Sequence, residues 1–278
     1  MCDETTVLTR REFAALGAAV LAGTAWTEAD ALEVGLSEAM VEVKAADGTA
    51  EAFFVHPARG RHPGVIFWPD AIGLRDAKKA MARRLAAEGY AVLAVNQYYR
   101  DARLPLGIHF SDFRGEEGRK RMMPLVQRLS PDAVTRDARA YAAFLDAQPA
   151  VDTARGIGTQ GYCMGGSFAL RTAAAVPDRV GAVASFHGGH LVTDAPDSPH
   201  KTIAAARAAY LILPGRDDAV NEPDAEKVLR ETAEAAGRPA EIEVYKAFHG
   251  WCVPDAPMFD EPEADRAFSR LLALYAQL

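Results

Sequence analysis

Three residues of the chain follow the order nucleophile, acid, base that acyl-transfer chemistry uses: Cys163, Asp217 and His249. Cys163 lies in Gly161-Tyr162-Cys163-Met164-Gly165, a G-x-nucleophile-x-G turn between an expected strand and an expected helix. The glycines suit a tight turn in which side chains would strike neighbouring backbone. A cysteine at such a turn sits at a helix N-terminus, where unpaired N–H groups and the helix dipole favour a thiolate. The amide of Met164 then faces the same space, as one donor of an oxyanion hole. The competing explanation is a small buried cysteine between glycines, a frequent fate for this residue type.

The base and its orienting acid should follow downstream. LILPGRDD sets Asp217 and Asp218 just past an apolar strand, and Asp217 is taken ahead of Asp218 because it comes sooner after the turn. AFHGW puts His249 in the loop after the next strand. Of the seven histidines, His249 alone combines the correct order with a late loop. His187 and His190 flank two glycines, but two imidazoles without further ligands at suitable spacing do not make a metal site. No phosphate loop or dinucleotide fingerprint is present, so no cofactor is expected. Trp68, Tyr98, Tyr99, Phe186 and Trp251 fall at strand ends or adjacent loops, where they would line an apolar pocket or pack in the core.

These residues need a scaffold that delivers strand ends to one place. MVEVKA and AEAFFVHP flank Asp47-Gly48, a two-residue hairpin signal. Apolar runs at GVIFWP, YAVLAVN, RGIGTQGYC, VGAVASFH, AAYLILPG and AEIEVYK read as strands. Helical patterns separate them over 75–88, 131–148, 168–175, 222–236 and 262–278, with a further helix near 116–127 in a charge-rich excursion. Strand–helix alternation implies an α/β fold: a mostly parallel central sheet with helices on both faces. No repeat or linker divides the chain, so residues 32–278 are expected to form one domain.

Composition excludes several classes. The 31 basic residues are outnumbered by 38 acidic ones without a basic stripe, which argues against nucleic acid as partner. Three cysteines make no disulfide framework. At the start, LTRREFAALGAAVLAGTAW has paired arginines and then an uncharged run too short to span a bilayer comfortably. The small-residue run Ala29-Asp30-Ala31 follows, so residues 1–31 resemble a twin-arginine export signal. That places the mature protein in the periplasm, without stable membrane insertion, or in the cytoplasm should the segment not be a signal.

With GYCMGG, GRDD and FHGW in place, the sequence from about residue 41 to 278 resembles the dienelactone hydrolase family of the α/β-hydrolase superfamily. The resemblance implies an α/β-hydrolase fold with Cys163, Asp217 and His249 as the triad. It also implies an acid after the first core strand that pairs with the resting thiol, here Asp70 in WPDAIG, with the amide of Ala71 completing the oxyanion hole. Asp70 is one methylene shorter than the family's glutamate. Family members bind a substrate carboxylate with two arginines; Arg100 in QYYRD matches one, and the other falls near Val253, where no basic residue stands. Tyr98 and Trp251 are the expected aromatic contacts.

The implied activity is carboxymethylenebutenolidase-like hydrolysis of a small-molecule lactone or activated ester through a thioester. A thiolate leaves more readily than an alkoxide, so the tetrahedral intermediate of an ordinary alkyl ester tends to collapse backward. An enol lactone or another activated ester expels a stabilised anion and goes forward. The alternatives are a general esterase or thioesterase, and a periplasmic binding or redox protein in which Cys252 pairs with Cys163.

Overall fold

A computed structural model describes residues 35–111 and 115–278. Eight strands form one sheet: β1 (Leu36–Ala45), β2 (Gly48–Pro57), β3 (Gly64–Trp68), β4 (Ala91–Val95), β5 (Ile157–Tyr162), β6 (Val180–Phe186), β7 (Ala209–Leu213) and β8 (Ala240–Ile242). Their spatial order is β1-β2-β4-β3-β5-β6-β7-β8. The pairs β1/β2 and β2/β4 are antiparallel, and every later pair is parallel. The hairpin turns at Ala46-Asp47, one residue before the Asp47-Gly48 that its sequence indicates, with Gly48 opening β2.

The central strands are buried on both faces, which is why they read as unbroken apolar runs. Side chains alternate between two cores. Ile66, Trp68, Leu93, Val95, Tyr210 and Ile212 face helices α3 (Pro131–Asp146) and α4 (Met164–Ala175). Val65, Phe67, Val92, Ala94, Leu211 and Leu213 face α1 (Asp76–Ala87) and α7 (Glu261–Tyr275). Helix starts carry local signals: Ser130 accepts from the amide of Ala133, and Asp260 from that of Glu263, each with a proline in the first turn. Helix α2 (Glu116–Gln127) belongs to the charged excursion, while α5 (Arg216–Asn221) and α6 (Ala225–Ala235) follow β7.

Three elements depart from the sequence-based expectation, each next to the functional residues. The helix expected from Phe168 begins at Met164, directly after Cys163. The helix expected over 222–236 is found as α6, and an additional short helix that the sequence did not indicate, α5, precedes it with the acidic pair in its first turn. The strand expected over AEIEVYK is regular only over Ala240–Ile242, after which Glu243 and Tyr245 still donate to the Ile212 and Pro214 carbonyls at 3.1 and 2.8 Å and a Gly215–Tyr245 bridge follows. The Arg216 amide then donates to the Ala247 carbonyl at 2.9 Å, which sets the His249 loop beside the start of α5.

Candidate active site

The C-terminal ends of β3, β5, β6 and β7 deliver the reactive groups to one edge of the sheet, as expected for ligand sites in parallel α/β folds. Cys163 holds φ 55° and ψ −124°, a left-handed conformation that a side-chain-bearing residue rarely adopts. Its amide donates to the Phe186 carbonyl at 3.1 Å, and its carbonyl accepts from Gly166 at 3.0 Å. The flanking glycines are sterically required. A Cβ on Gly161 would lie 1.8 Å from the Gly165 carbonyl oxygen, and one on Gly165 would lie 2.5 Å from the Pro69 oxygen. The turn is therefore pressed against the loop after β3. Met164 is the first helical residue, so its amide has no acceptor within the helix.

Both aspartates after β7 grip His249, in different ways. Asp218 Oδ1 lies 2.7 Å from His249 Nδ1, and its Oδ2 accepts from the Gly215 amide at 2.8 Å. Asp217 Oδ1 accepts the backbone N–H of His249 at 2.8 Å. The carboxylate on the ring is thus Asp218, not Asp217 as the sequence suggested. Neighbouring residues at a helix start project about 100° apart, and the His249 loop crosses α5 so that the later one meets the imidazole. With Nδ1 taken by Asp218, Nε2 is the nitrogen left for Cys163. Burial disfavours the imidazolium, but hydrogen bonds to Asp218 and Cys163 outweigh it and raise the His249 pKa to about 10.

Asp70 is buried, but its partners are cations rather than the thiol. Arg75 forms a two-pronged bond to it at 2.8 and 3.1 Å, and Lys78 Nζ lies 2.9 Å from Oδ2. The amide of Ile72 also donates to Oδ1 at 3.0 Å. Burial alone would raise the pKa of Asp70; Lys78 and Arg75 reverse that and hold the carboxyl well below the usual carboxylate range. The expected role of Asp70 as the thiol's partner is therefore replaced by an ion-pair cluster under the site. Arg75 continues to Asp255 at 2.6 and 2.8 Å, tying the loop after β3 to the loop after His249.

Between these two loops lies a cavity of about 180 Å³. Cys163, His187 and His249 form its polar wall beside Asp70; Ala71, Ile72, Phe110, Ala256, Pro257 and Met258 form its apolar walls. No arginine or lysine lines it among the described residues.

A family model for the dienelactone hydrolase family matches residues 50–278. The chain belongs to that family. As a member of the α/β-hydrolase superfamily in this branch, it is a carboxylic ester hydrolase. It is 27% identical over 250 residues to a Methylorubrum extorquens protein provisionally named a carboxymethylenebutenolidase, covering 87% of this chain and 82% of the relative. A carboxymethylenebutenolidase of Rhodococcus opacus is 28% identical over 202 residues, 71% of this chain and 74% of the relative. In fold, a Klebsiella pneumoniae protein provisionally named a dienelactone hydrolase superposes with a TM-score of 0.75 at 24% identity, over 88% of this chain and 100% of that one.

Against that family the expected substrate contacts are redistributed. Arg100 is only 6% exposed and is consumed by Asp137, at 2.7 and 2.8 Å, and by Asp47. It is a structural cation, not a free carboxylate receptor. Tyr98 is buried and donates to the Ala71 carbonyl at 2.8 Å, so it shapes the loop that carries Ala71 rather than the cavity surface. Trp251 is fully buried and stacks on Tyr245 at 4.6 Å. Neither aromatic lines the cavity. Cys252 is unpaired, buried on a separate cavity with Tyr162 and Phe186, and burial pushes its thiol pKa up. No disulfide joins it to Cys163.

His190 is exposed beside Glu222, whereas His187 is buried. Among the described residues no group of three or more His, Cys, Asp or Glu side chains is gathered around a potential metal position. The expected export signal, residues 1–31, lies outside the described residues. Sequence reasoning missed Lys78, Arg75 and Phe110, and weighed His187 only as half of a metal pair. Only Lys78 left a trace: it falls in the buried stripe Lys78, Ala82, Leu85, Ala86 of α1, where a charge demands a buried partner.

Proposed function

We propose that the protein hydrolyses uncharged lactones or activated esters through a Cys163-Asp218-His249 triad and a covalent thioester. The observation that carries this reading is His249, held at Nδ1 by Asp218, lining one cavity with Cys163. In acylation, the cysteine sulfur attacks the carbonyl carbon while the amides of Met164 and Ala71 receive the developing oxyanion. The imidazolium of His249 then delivers its proton to the departing enolate or phenolate. In deacylation, neutral His249 takes a proton from water, which releases the acid and regenerates the thiol.

The cavity supports the choice of substrate. Away from Cys163, Asp70 and the two histidines its walls are apolar, and no arginine or lysine lines it among the described residues, while Arg75 and Arg100 are already ion-paired and the His249 imidazolium is held by Asp218. A substrate carboxylate would have to be desolvated there beside the Asp70 carboxylate with no free arginine or lysine to pair it, which is unfavourable. A neutral acyl group meets no such penalty. Export by the paired-arginine segment, with a mature start near Leu32 in the periplasm, is part of the same proposal. Mass spectrometry of the mature N-terminus tests it, and residues 1–31 retained on cytoplasmic protein would refute it.

The activity test is a panel of neutral enol lactones, aryl esters, thioesters and a carboxylate-bearing dienelactone, assayed with wild type and Cys163→Ala. Turnover of the neutral activated substrates should disappear in the variant. Equal activity in the variant would refute the cysteine, and preference for the carboxylate-bearing lactone would refute the substrate class.

A further inference from the structure

His187 stands apart from the triad, and its situation is unusual for a histidine. It follows β6 with φ 39°, a conformation that side-chain-bearing residues rarely adopt. A hydrogen bond from its amide to the Leu213 carbonyl, 2.8 Å, pins it there. The ring is 1% exposed, and neither Nδ1 nor Nε2 has a hydrogen-bond partner among the protein's described groups. Buried polar atoms are nearly always partnered, and strain of this kind concentrates where a side chain must be aimed. The ring meets the His249 ring edge-on, 4.7 Å between centroids, and forms part of the wall of the Cys163 cavity.

We propose that His187 holds the water that hydrolyses the Cys163 thioester, an inference that rests on the cysteine mechanism above. The division of the cavity supports water rather than substrate. The acyl group fits the apolar side formed by Ile72, Phe110, Pro257 and Met258, which leaves the Cys163–His187–His249 side for a polar species. A bound water needs two or more polar partners, and the two imidazoles supply them once the His187 ring turns a nitrogen toward the cavity, both nitrogens being closed off at rest. Burial, with the positive charges of His249 and Lys78 nearby, pushes the His187 pKa well below its ordinary value. The ring therefore stays neutral, with one nitrogen free to accept.

In the step proposed, the water oxygen bonds to the thioester carbon as one of its protons passes to Nε2 of His249. The carbon–sulfur bond breaks and leaves its electron pair on Sγ. The other hydrogen, held by the unprotonated nitrogen of His187, stays on oxygen as the hydroxyl of the acid product.

The test is pre-steady-state turnover of p-nitrophenyl acetate by wild type, His187→Phe and His187→Gln, with intact-mass detection of the acyl-enzyme. His187→Phe should keep the rate of the first p-nitrophenolate burst and slow the subsequent steady state about 10²-fold. An acetyl adduct should accumulate on Cys163, and KM should fall with kcat. His187→Gln, which retains a donor and an acceptor, should deacylate within about tenfold of wild type. His187→Met gives the same readout should the phenylalanine variant fold poorly. Burst and steady state falling together without an adduct, KM rising with deacylation unchanged, or no change at all would each overturn the proposal. Failure of the cysteine mechanism is separable: wild type would then show no Cys163 adduct, and Cys163→Ala would retain turnover.

Discussion

The two aspartates that hold His249 make a paired perturbation with opposite outcomes. In Asp218→Asn the side chain must serve two donors, the His249 ring at 2.7 Å and the Gly215 amide at 2.8 Å. An amide has one acceptor oxygen and one NH2, so one of these contacts is lost or becomes donor against donor. A hydrogen bond to a charged group contributes about 1.5–3 kcal/mol. At about 1.4 kcal/mol per decade that is a loss of about 10- to 150-fold in kcat/KM. If the NH2 also turns the imidazole to the wrong tautomer, the loss approaches the ~10⁴ known for the equivalent change in a Ser-His-Asp protease. Asp217→Asn is different: its single contact is a backbone N–H at 2.8 Å, which an amide oxygen accepts equally well. Activity should stay within about threefold, and stability within about 1 kcal/mol. The assay is kcat/KM on an aryl ester, with urea denaturation to certify folding. A folded Asp217→Asn variant that loses as much activity as Asp218→Asn would refute the assignment.

Three further outcomes follow from the charges around the site. Lys78→Met leaves Asp70, 3% exposed, with Arg75 as its remaining cation; urea denaturation should register a loss of about 3 kcal/mol, and a loss below about 1 would contradict the buried pair. Arg100→Ala strips the cation from Asp137, 1% exposed, so it should destabilise by about 3–5 kcal/mol while leaving KM unchanged; a rise in KM at wild-type stability would restore Arg100 as a substrate contact. For pH, the folded His249 binds its proton more tightly than an ordinary imidazole, about 10 against 6.5. The stabilisation it brings is complete below about 6.5 and is lost as pH rises through about 10. Protonation of the leaving group should fade over the same alkaline limb, so kcat/KM for esters with poor leaving groups should fall near pH 10, and a flat profile there would count against His249 as the acid.

The nucleophile turn was legible in sequence because its constraint is local. Gly161 and Gly165 are demanded by backbone contacts within a few residues of Cys163 and from one adjoining loop. The sheet was legible for a similar reason, since burial on both faces writes itself as continuous apolar runs. The acid was not. Asp217 and Asp218 share one helical turn, and the path of the chain from β8 to His249 decides which meets the ring; that path is set by backbone bonds between residues 243–247 and the end of β7. Arg100 and Asp70 were misread because their partners are set by tertiary packing. Asp137 lies 37 residues beyond Arg100, and Lys78 reaches Asp70 only because α1 turns an apolar stripe, with a lysine in it, against the sheet. The burial of His187, which sequence offered only as half of a metal pair, was not legible, since a buried unpaired imidazole and an exposed loop histidine look alike.

The central claim is that Cys163 becomes acylated during turnover. Rapid acid quench of wild type turning over an aryl ester, followed by peptide mapping, tests it directly. The account predicts the acyl mass on the peptide that contains Cys163, formed at least as fast as steady-state turnover and absent in Cys163→Ala. An acyl group found on any other residue, or undiminished turnover by Cys163→Ala, would contradict it.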